Sequence, residues 1–240
     1  TFSTASCFWL GSSVSMVYKP INNDRSDLNS FILQITYTIM EQTKLSLSPQ
    51  EFAIAANADL ILTKNAVLQK VKTALDALHA WAIAAIKDRK GLPPASYEVN
   101  GKVSRGENYN GLPYVILDYP RNFKQEHVFA IRSMFWWGRQ ISCTLHLSGE
   151  WKALFSTAIS SHFTQLQEKG FYLSYSGNEW DHDLLGSTYI PFAALTAYQL
   201  KQAFTVHPFI KIASFAPISE LKEAPGLWRA AFSTFLEILC

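Results

Sequence analysis

The sequence predicts an α+β fold: an antiparallel sheet on a central three-strand meander over about 112–148, with helices mainly on one face and a helical N-terminal part. Two observations carry this expectation. The first is three consecutive strand signals, Leu112–Tyr119, His127–Trp137 and Arg139–Leu147. In the last of these, Ile141, Cys143, Leu145 and Leu147 alternate with Gln140, Ser142, Thr144 and His146, as in an antiparallel strand with one face on a core. The second is element order. Helical signals come first and strands then mix with helices, which does not read as repeated βαβ units.

The elements follow in order. Val14, Met16 and Tyr18 alternate with Ser13, Ser15 and Val17, a short strand before Lys19-Pro20. Leu28, Phe31, Ile32, Ile35 and Ile39 recur at helical spacing behind Ser26 and Asp27. Ser48-Pro49-Gln50-Glu51 is the sharpest local signal: Ser48 can cap, Pro49 suits the first helical position and Glu51 can close a capping box. That helix would carry Phe52, Ala55, Ala56 and Leu60. A second start near Thr63–Asn65 leads into the stripe Val67, Leu68, Val71, Leu75, Leu78, Ala82 and Ile86, ended by Gly91 and Pro93-Pro94. Tyr97–Val103 reads as a hairpin around Asn100-Gly101, and Ser104–Gly111 as a loop. After the meander, Ser148 is expected to cap a helix through Leu166, closed by Gly170. Phe171–Ser176 and Phe209–Phe215 read as strands. Pro191 would open a helix through Phe204, and Pro225 opens a final one with Trp228, Ala231, Phe232, Phe235 and Leu239 on one stripe. The whole is expected to be one domain, 1–240, with a helical part over about 27–91 and a sheet-plus-helix part over about 97–240.

Register follows from the pattern, because a one-residue slip would reverse every side chain. A turn near Gly138 sets Phe135, Ser133, Ile131 and Phe129 against Ile141, Cys143, Leu145 and Leu147. The opposite face then pairs Trp136 with Gln140, Met134 with Ser142, Arg132 with Thr144 and Ala130 with His146. If the first strand ends at Pro120 and pairs across a 120–126 loop, Tyr114 meets Arg132 and Asp118 meets Val128. Tyr114, Asp118, Arg132, Trp136, Thr144 and His146 therefore form the candidate ligand-binding face. Arg132 offers a forked donor set to a carboxylate or phosphate. The plainer account is Arg132 paired with Asp118, or a solvated face.

Composition bounds the function. With 48% hydrophobic and 17% charged residues the chain is globular rather than disordered. A net charge of +2 without a Lys/Arg run excludes an electrostatic case for nucleic acid or an anionic membrane, and no run is long enough to span a bilayer. Cys7, Cys143 and Cys240 have no zinc-type spacing, so neither a metal nor a cofactor is expected, and an odd count without a framework fits the reducing cytoplasm. The chain starts at Thr1 rather than Met, as a fragment, a processed form or a trimmed chain would. A nucleophilic Thr1 would need a processed end.

Other constellations read plainly. Cys143 and His146 differ by an odd number and face opposite ways, which breaks a nucleophile–base pair. Asp181-His182-Asp183 reads as a solvated acidic turn rather than a metal site. Phe135-Trp136-Trp137 reads as core before exposed patch. The leading functional expectation is a non-enzymatic domain that binds a small, possibly anionic, ligand or a protein partner through the mixed face. The alternatives are a hydrolase-like enzyme using Asp118, His146 or Asp181–Asp183, and a structural protein that forms a homodimer.

Overall fold

A computed structural model of the chain describes residues 6–10, 13–17, 29, 30, 32–34, 36, 45–87, 89–124 and 126–240. They fall into two compact units, Thr1–Ile61 and Leu62–Cys240. Among the described residues the strands form a two-stranded and a seven-stranded sheet.

In the first unit, β1 (Ser6–Leu10) and β2 (Ser13–Val17) are an antiparallel pair, the second matching the alternation around Val14. The helix expected over Leu28–Ile39 lies largely outside the described residues, although Asn29, Ser30, Ile32, Leu33, Gln34 and Thr36 are helical. Thr1 also lies outside them. The capping box at Ser48 is formed: the Glu51 amide donates to Ser48 Oγ at 3.2 Å and the Ser48 amide to Glu51 Oε2 at 2.7 Å. The helix it starts, α1 (Pro49–Ala55), is shorter than expected. Asn57 breaks it and accepts from the Leu60 amide, so α2 (Ala58–Lys87) begins earlier than Thr63 and runs unbroken.

In the second unit the large sheet is antiparallel, ordered β3 (Lys102–Tyr109), β4 (Leu112–Lys124), β5 (His127–Trp136), β6 (Gln140–Ser148), β9 (Phe209–Pro217), β7 (Tyr172–Ser174) and β8 (Tyr189–Pro191). The expected Asn100-Gly101 hairpin is absent: α3 (Ala95–Glu98) is a single helical turn and strand pairing starts at Lys102. The hairpin turn is instead Asn110-Gly111, both at positive φ (50° and 79°), which the two-residue connection between right-twisted strands requires.

The β5–β6 register is as expected at every rung, from Phe129 opposite Leu147 to Trp136 opposite Gln140. The β4–β5 register is not. Tyr114 stands opposite Trp136 and Asp118 opposite Arg132, while Val128 faces Phe123. The cause is Pro120, which does not end the strand. The register shifts between Asp118 and Arg121, and extended chain continues to Lys124. A proline without a ladder donor is tolerated at such a bulge.

One face of the sheet carries Val115, Leu117, Phe129, Ile131, Phe135, Ile141, Cys143, Leu145, Leu147, Ile210 and Ile212. They join the α2 stripe from Leu68 to Ile86 in one core. Also in it are Phe155 and Ile159 of α4 (Gly149–Ser161) and Trp228, Phe232 and Phe235 of α7 (Ala224–Leu239). The helix expected to run on to Leu166 breaks at His162, and α5 (Phe163–Glu168) follows. Pro191 ends β8 and opens only a short 3-10 turn, Phe192–Ala194, not the expected helix through Phe204. The next one, α6 (Ala197–Val206), starts at a Thr196–Gln199 capping box. Ser148 sits at the start of α4 without capping it: its hydroxyl accepts from the Val128 amide and donates to the Glu126 carbonyl. Among the described residues no helix is long and apolar enough to cross a membrane.

Candidate functional site on the polar face of the sheet

The face turned away from the main core concentrates charge. Asp118, Arg132, Thr144 and Ala213 form one rung across β4, β5, β6 and β9; Ala130, His146 and Lys211 form the next rung but one. Period-two alternation puts both rungs on the same side. This face is covered by Tyr175–Thr188, the segment between β7 and β8.

The sequence of the covering segment shapes it locally. Ser174, Ser176, Asn178, Asp181 and Asp183 each accept, through a side-chain oxygen, the amide two residues further on, at 3.0–3.3 Å. Short polar side chains offer the backbone these turns in place of helix or strand. The result is not the solvated acidic turn expected of Asp181-His182-Asp183. His182 is only 6% exposed and points at the sheet, while Asp183 pairs with Arg139 at 2.7 Å and Asp181 accepts from the Thr188 hydroxyl.

The contacts beneath form one network. Arg132 grips Asp118 with both arms of its fork, Nε to Oδ1 at 2.7 Å and Nη2 to Oδ2 at 2.9 Å, and sends Nη1 to His182 Nε2 at 2.9 Å. Lys211, 0% exposed, donates to the carbonyls of Glu179 (2.8 Å) and Asp181 and stands 3.5 Å from His182 Nδ1. His146 Nε2 meets Glu179 Oε2 at 3.2 Å, and its ring packs on Trp180 and Phe209. Gln140 binds the segment twice, Nε2 to the His182 carbonyl and Oε1 from the Leu184 amide. The Tyr109 hydroxyl accepts from the His182 amide and donates to the Trp180 carbonyl, while the Tyr189 hydroxyl donates to the Asp181 carbonyl.

Burial governs the ionisation of this cluster. It pushes His146 down to about 3, helped by Lys211 when that amine carries a proton and by the charge of Arg132. His182 is held well below the usual histidine range by burial and then by Lys211, Arg132 and His146. Lys211 is brought down to about 7 by burial and Arg132, against the opposing pull of Asp181 and Glu179. Buried groups shifted this far gather at functional sites more often than elsewhere.

Of the sequence-derived site residues, Asp118, Arg132, Thr144 and His146 share this region. Tyr114 and Trp136 do not reach Arg132. They form a small aromatic cluster with Ile116, Met134, Tyr109 and Leu112, in which the Trp136 indole donates to the Tyr109 carbonyl and Arg139 stacks on its ring. Cys143 lies on the other face, its thiol raised to about 12 by burial, so it has no access to His146. Sequence reasoning missed Lys211, Glu179 and the inward His182. A signal existed for Lys211: it is the lone cation between Ile210 and Ile212 in an apolar strand, and therefore opposed to both.

Beside the network lies a cavity of about 380 Å³ lined by Glu126, Ser148, Gly149, Glu179, Pro208 and Phe209. Glu179 and Phe209 are shared: both wall the cavity, and on the other side Glu179 binds His146 Nε2 while Phe209 packs on its ring. A larger groove of about 740 Å³ runs over the exposed side of α6 at Tyr198, Lys201 and Gln202, away from these groups. Among the described residues no cluster of three or more His, Cys, Asp or Glu has the arrangement to hold a metal. No protein-family model, curated protein or solved structure matches the chain.

Proposed function

We propose that the polar face beneath Tyr175–Thr188 is a small-molecule site, entered from the cavity at Glu179 and Phe209, in a domain working in the cytosol. The observation that supports this most is the position of Glu179. Its side chain, 33% exposed, is at once a wall of the cavity and the acceptor on His146 Nε2. A ligand carboxylate or carbonyl that replaces the Glu179 carboxylate gains the same donor and lies next to Lys211. Arg132 holds the site together rather than binding the ligand, since its fork is taken up by Asp118. The free thiols of Cys143 and Cys240 favour a reducing compartment.

A thermal-shift screen of small carboxylates, aldehydes and ketones on wild type and His146→Leu tests the proposal. Binding raises the midpoint with the logarithm of ligand concentration over Kd, so a true ligand shifts wild type and leaves His146→Leu unmoved. No shift in wild type, or equal shifts in both, removes the site.

A second reading, a protein partner or a second copy of the chain, is favoured by a different observation: Leu47, Phe52, Ile54, Leu60 and Ile61 are large apolar side chains left exposed on the first unit. Light scattering at several concentrations tests self-association, and a mass that stays monomeric throughout excludes the homodimer.

A further inference from the structure

Arg132, His182 and Lys211 form a line of nitrogens whose protons can be assigned by elimination. A guanidinium has donors only and stays charged at any accessible pH. With Arg132 Nη1 at 2.9 Å, His182 Nε2 must therefore be the acceptor. A neutral imidazole that accepts at Nε2 carries its proton on Nδ1. An imidazolium is excluded by the same contact, because it would set N–H against N–H. His182 Nδ1–H then faces Lys211 Nζ at 3.5 Å. An ammonium there would repeat the donor-to-donor clash. A neutral amine satisfies every partner: its two N–H groups go to the carbonyls of Glu179 and Asp181, and its lone pair receives Nδ1–H.

We propose that Lys211 is an unprotonated amine, held so by the Arg132–His182 pair, and is the nucleophile of this face toward a small aldehyde or ketone. This rests on the reading that a small molecule reaches the face. Among the described residues the groups facing Nζ are Arg132 from β5, His146 from β6, the Tyr189 ring of β8 at 5.9 Å, and Glu179, Asp181 and His182 from the covering segment. Burial outweighs the two carboxylates in that set, and an amine beside a second cation is a known way to activate lysine.

The chemistry closes without an oxidant or reductant. The Nζ lone pair forms a C–N bond to the carbonyl carbon as the C=O π pair moves to oxygen. His182 Nδ1 gives its proton to that oxygen and takes one from the cationic Nζ, leaving a neutral carbinolamine and a neutral imidazole. His182 Nδ1 then protonates the hydroxyl, and the C–O bond breaks to release one water as the Nζ lone pair closes the C=N bond. The remaining Nζ proton returns to Nδ1, leaving a neutral imine. All three partners of the amine belong to the covering segment, so the Glu179 end must lift for the carbonyl to enter.

Two measurements on the full chain test the proposal. The first follows the side-chain carbon resonances of isotopically labelled lysine against pH, with Lys211→Met for assignment. The expected result is one lysine titrating near neutrality; a Lys211 still protonated at pH 9 overturns the assignment. The second adds acetaldehyde with cyanoborohydride, whose hydride reduces any imine to a stable ethylamine, and maps the adduct by peptide mass spectrometry at pH 7.5. Lys211 should be modified on the order of tenfold faster than exposed Lys72 or Lys201, because an ordinary lysine is almost wholly protonated there. Adduct on surface lysines alone overturns the nucleophile. If the titration then still shows a neutral amine, solutes do not reach the face, and the small-molecule site falls with it. If Lys211 proves protonated while a ligand shifts wild type and not His146→Leu, the site stands and only the lysine chemistry falls.

Discussion

Asp118 and Arg132 stand directly opposite one another on β4 and β5 and share two parallel hydrogen bonds, Nε to Oδ1 at 2.7 Å and Nη2 to Oδ2 at 2.9 Å, in a largely buried position. Removing one member of such a pair strands the other. Arg132→Met and Asp118→Leu should each destabilise by ~3–5 kcal/mol, and the double variant by clearly less than the sum. Urea unfolding of the four proteins decides it. Single costs within about 0.5 kcal/mol, the scale of ordinary surface changes, would show that the pair does not hold the face together.

Stability should rise with pH across an unusually wide range. His146 and His182 are bases whose folded values are depressed, so below the ordinary 6.5, and for His146 down to about 3, the unfolded chain binds more protons and acid favours unfolding. Lys211, depressed from 10.5 to about 7, acts in the same direction between those values. Each full proton of difference is worth about 1.4 kcal/mol per pH unit. The urea midpoint should therefore climb from pH 4 through pH 9, and Lys211→Met should flatten its alkaline half. A wild-type midpoint that falls between pH 7 and 9 would contradict the neutral amine.

Leu145 is wholly enclosed on the apolar face of β6, between Ile131 and Ile212. Leu145→Ala should cost ~2–5 kcal/mol, as removal of buried methyl groups usually does. A circular-dichroism melt showing no loss would mean that the site had collapsed around the smaller side chain or that the two faces are reversed.

The parts of the fold legible in the sequence are those specified locally. The β5–β6 register could be read because Gly138 (φ 67°) marks the turn and the alternation on both sides admits a single phase. The Ser48 capping box was legible because all its partners lie within four residues. Pro120 misled, since a proline that usually ends a strand here sits in a bulge, and that displaced Tyr114 and Asp118 from their expected rungs. The candidate site was half legible for a related reason. Asp118, Arg132, Thr144 and His146 belong to the meander, whereas Lys211, His182 and Glu179 arrive from more than thirty residues away. Their approach depends on β9 pairing with β6 and on the fold of Tyr175–Thr188, neither of which local patterning specifies. The Asn-Gly turn rule was sound but applied to the wrong one of two Asn-Gly pairs. Gly101 is instead needed where its amide meets His79 Nε2, with no room for a side chain.

The sheet holds Tyr175–Thr188 chiefly by its main chain. Tyr109, Gln140, Tyr189 and Lys211 reach carbonyls and amides at Glu179, Trp180, Asp181, His182 and Leu184. A grip of that sort is blind to side-chain identity. Different side chains at 179 or 180 can be presented on one unchanged frame, much as a fixed socket takes interchangeable bits, whereas Leu184 is packed against Tyr189 and Ala213. Directed evolution of binding should therefore find its tolerant positions along this segment, and its intolerant ones among the four sheet residues that clasp it.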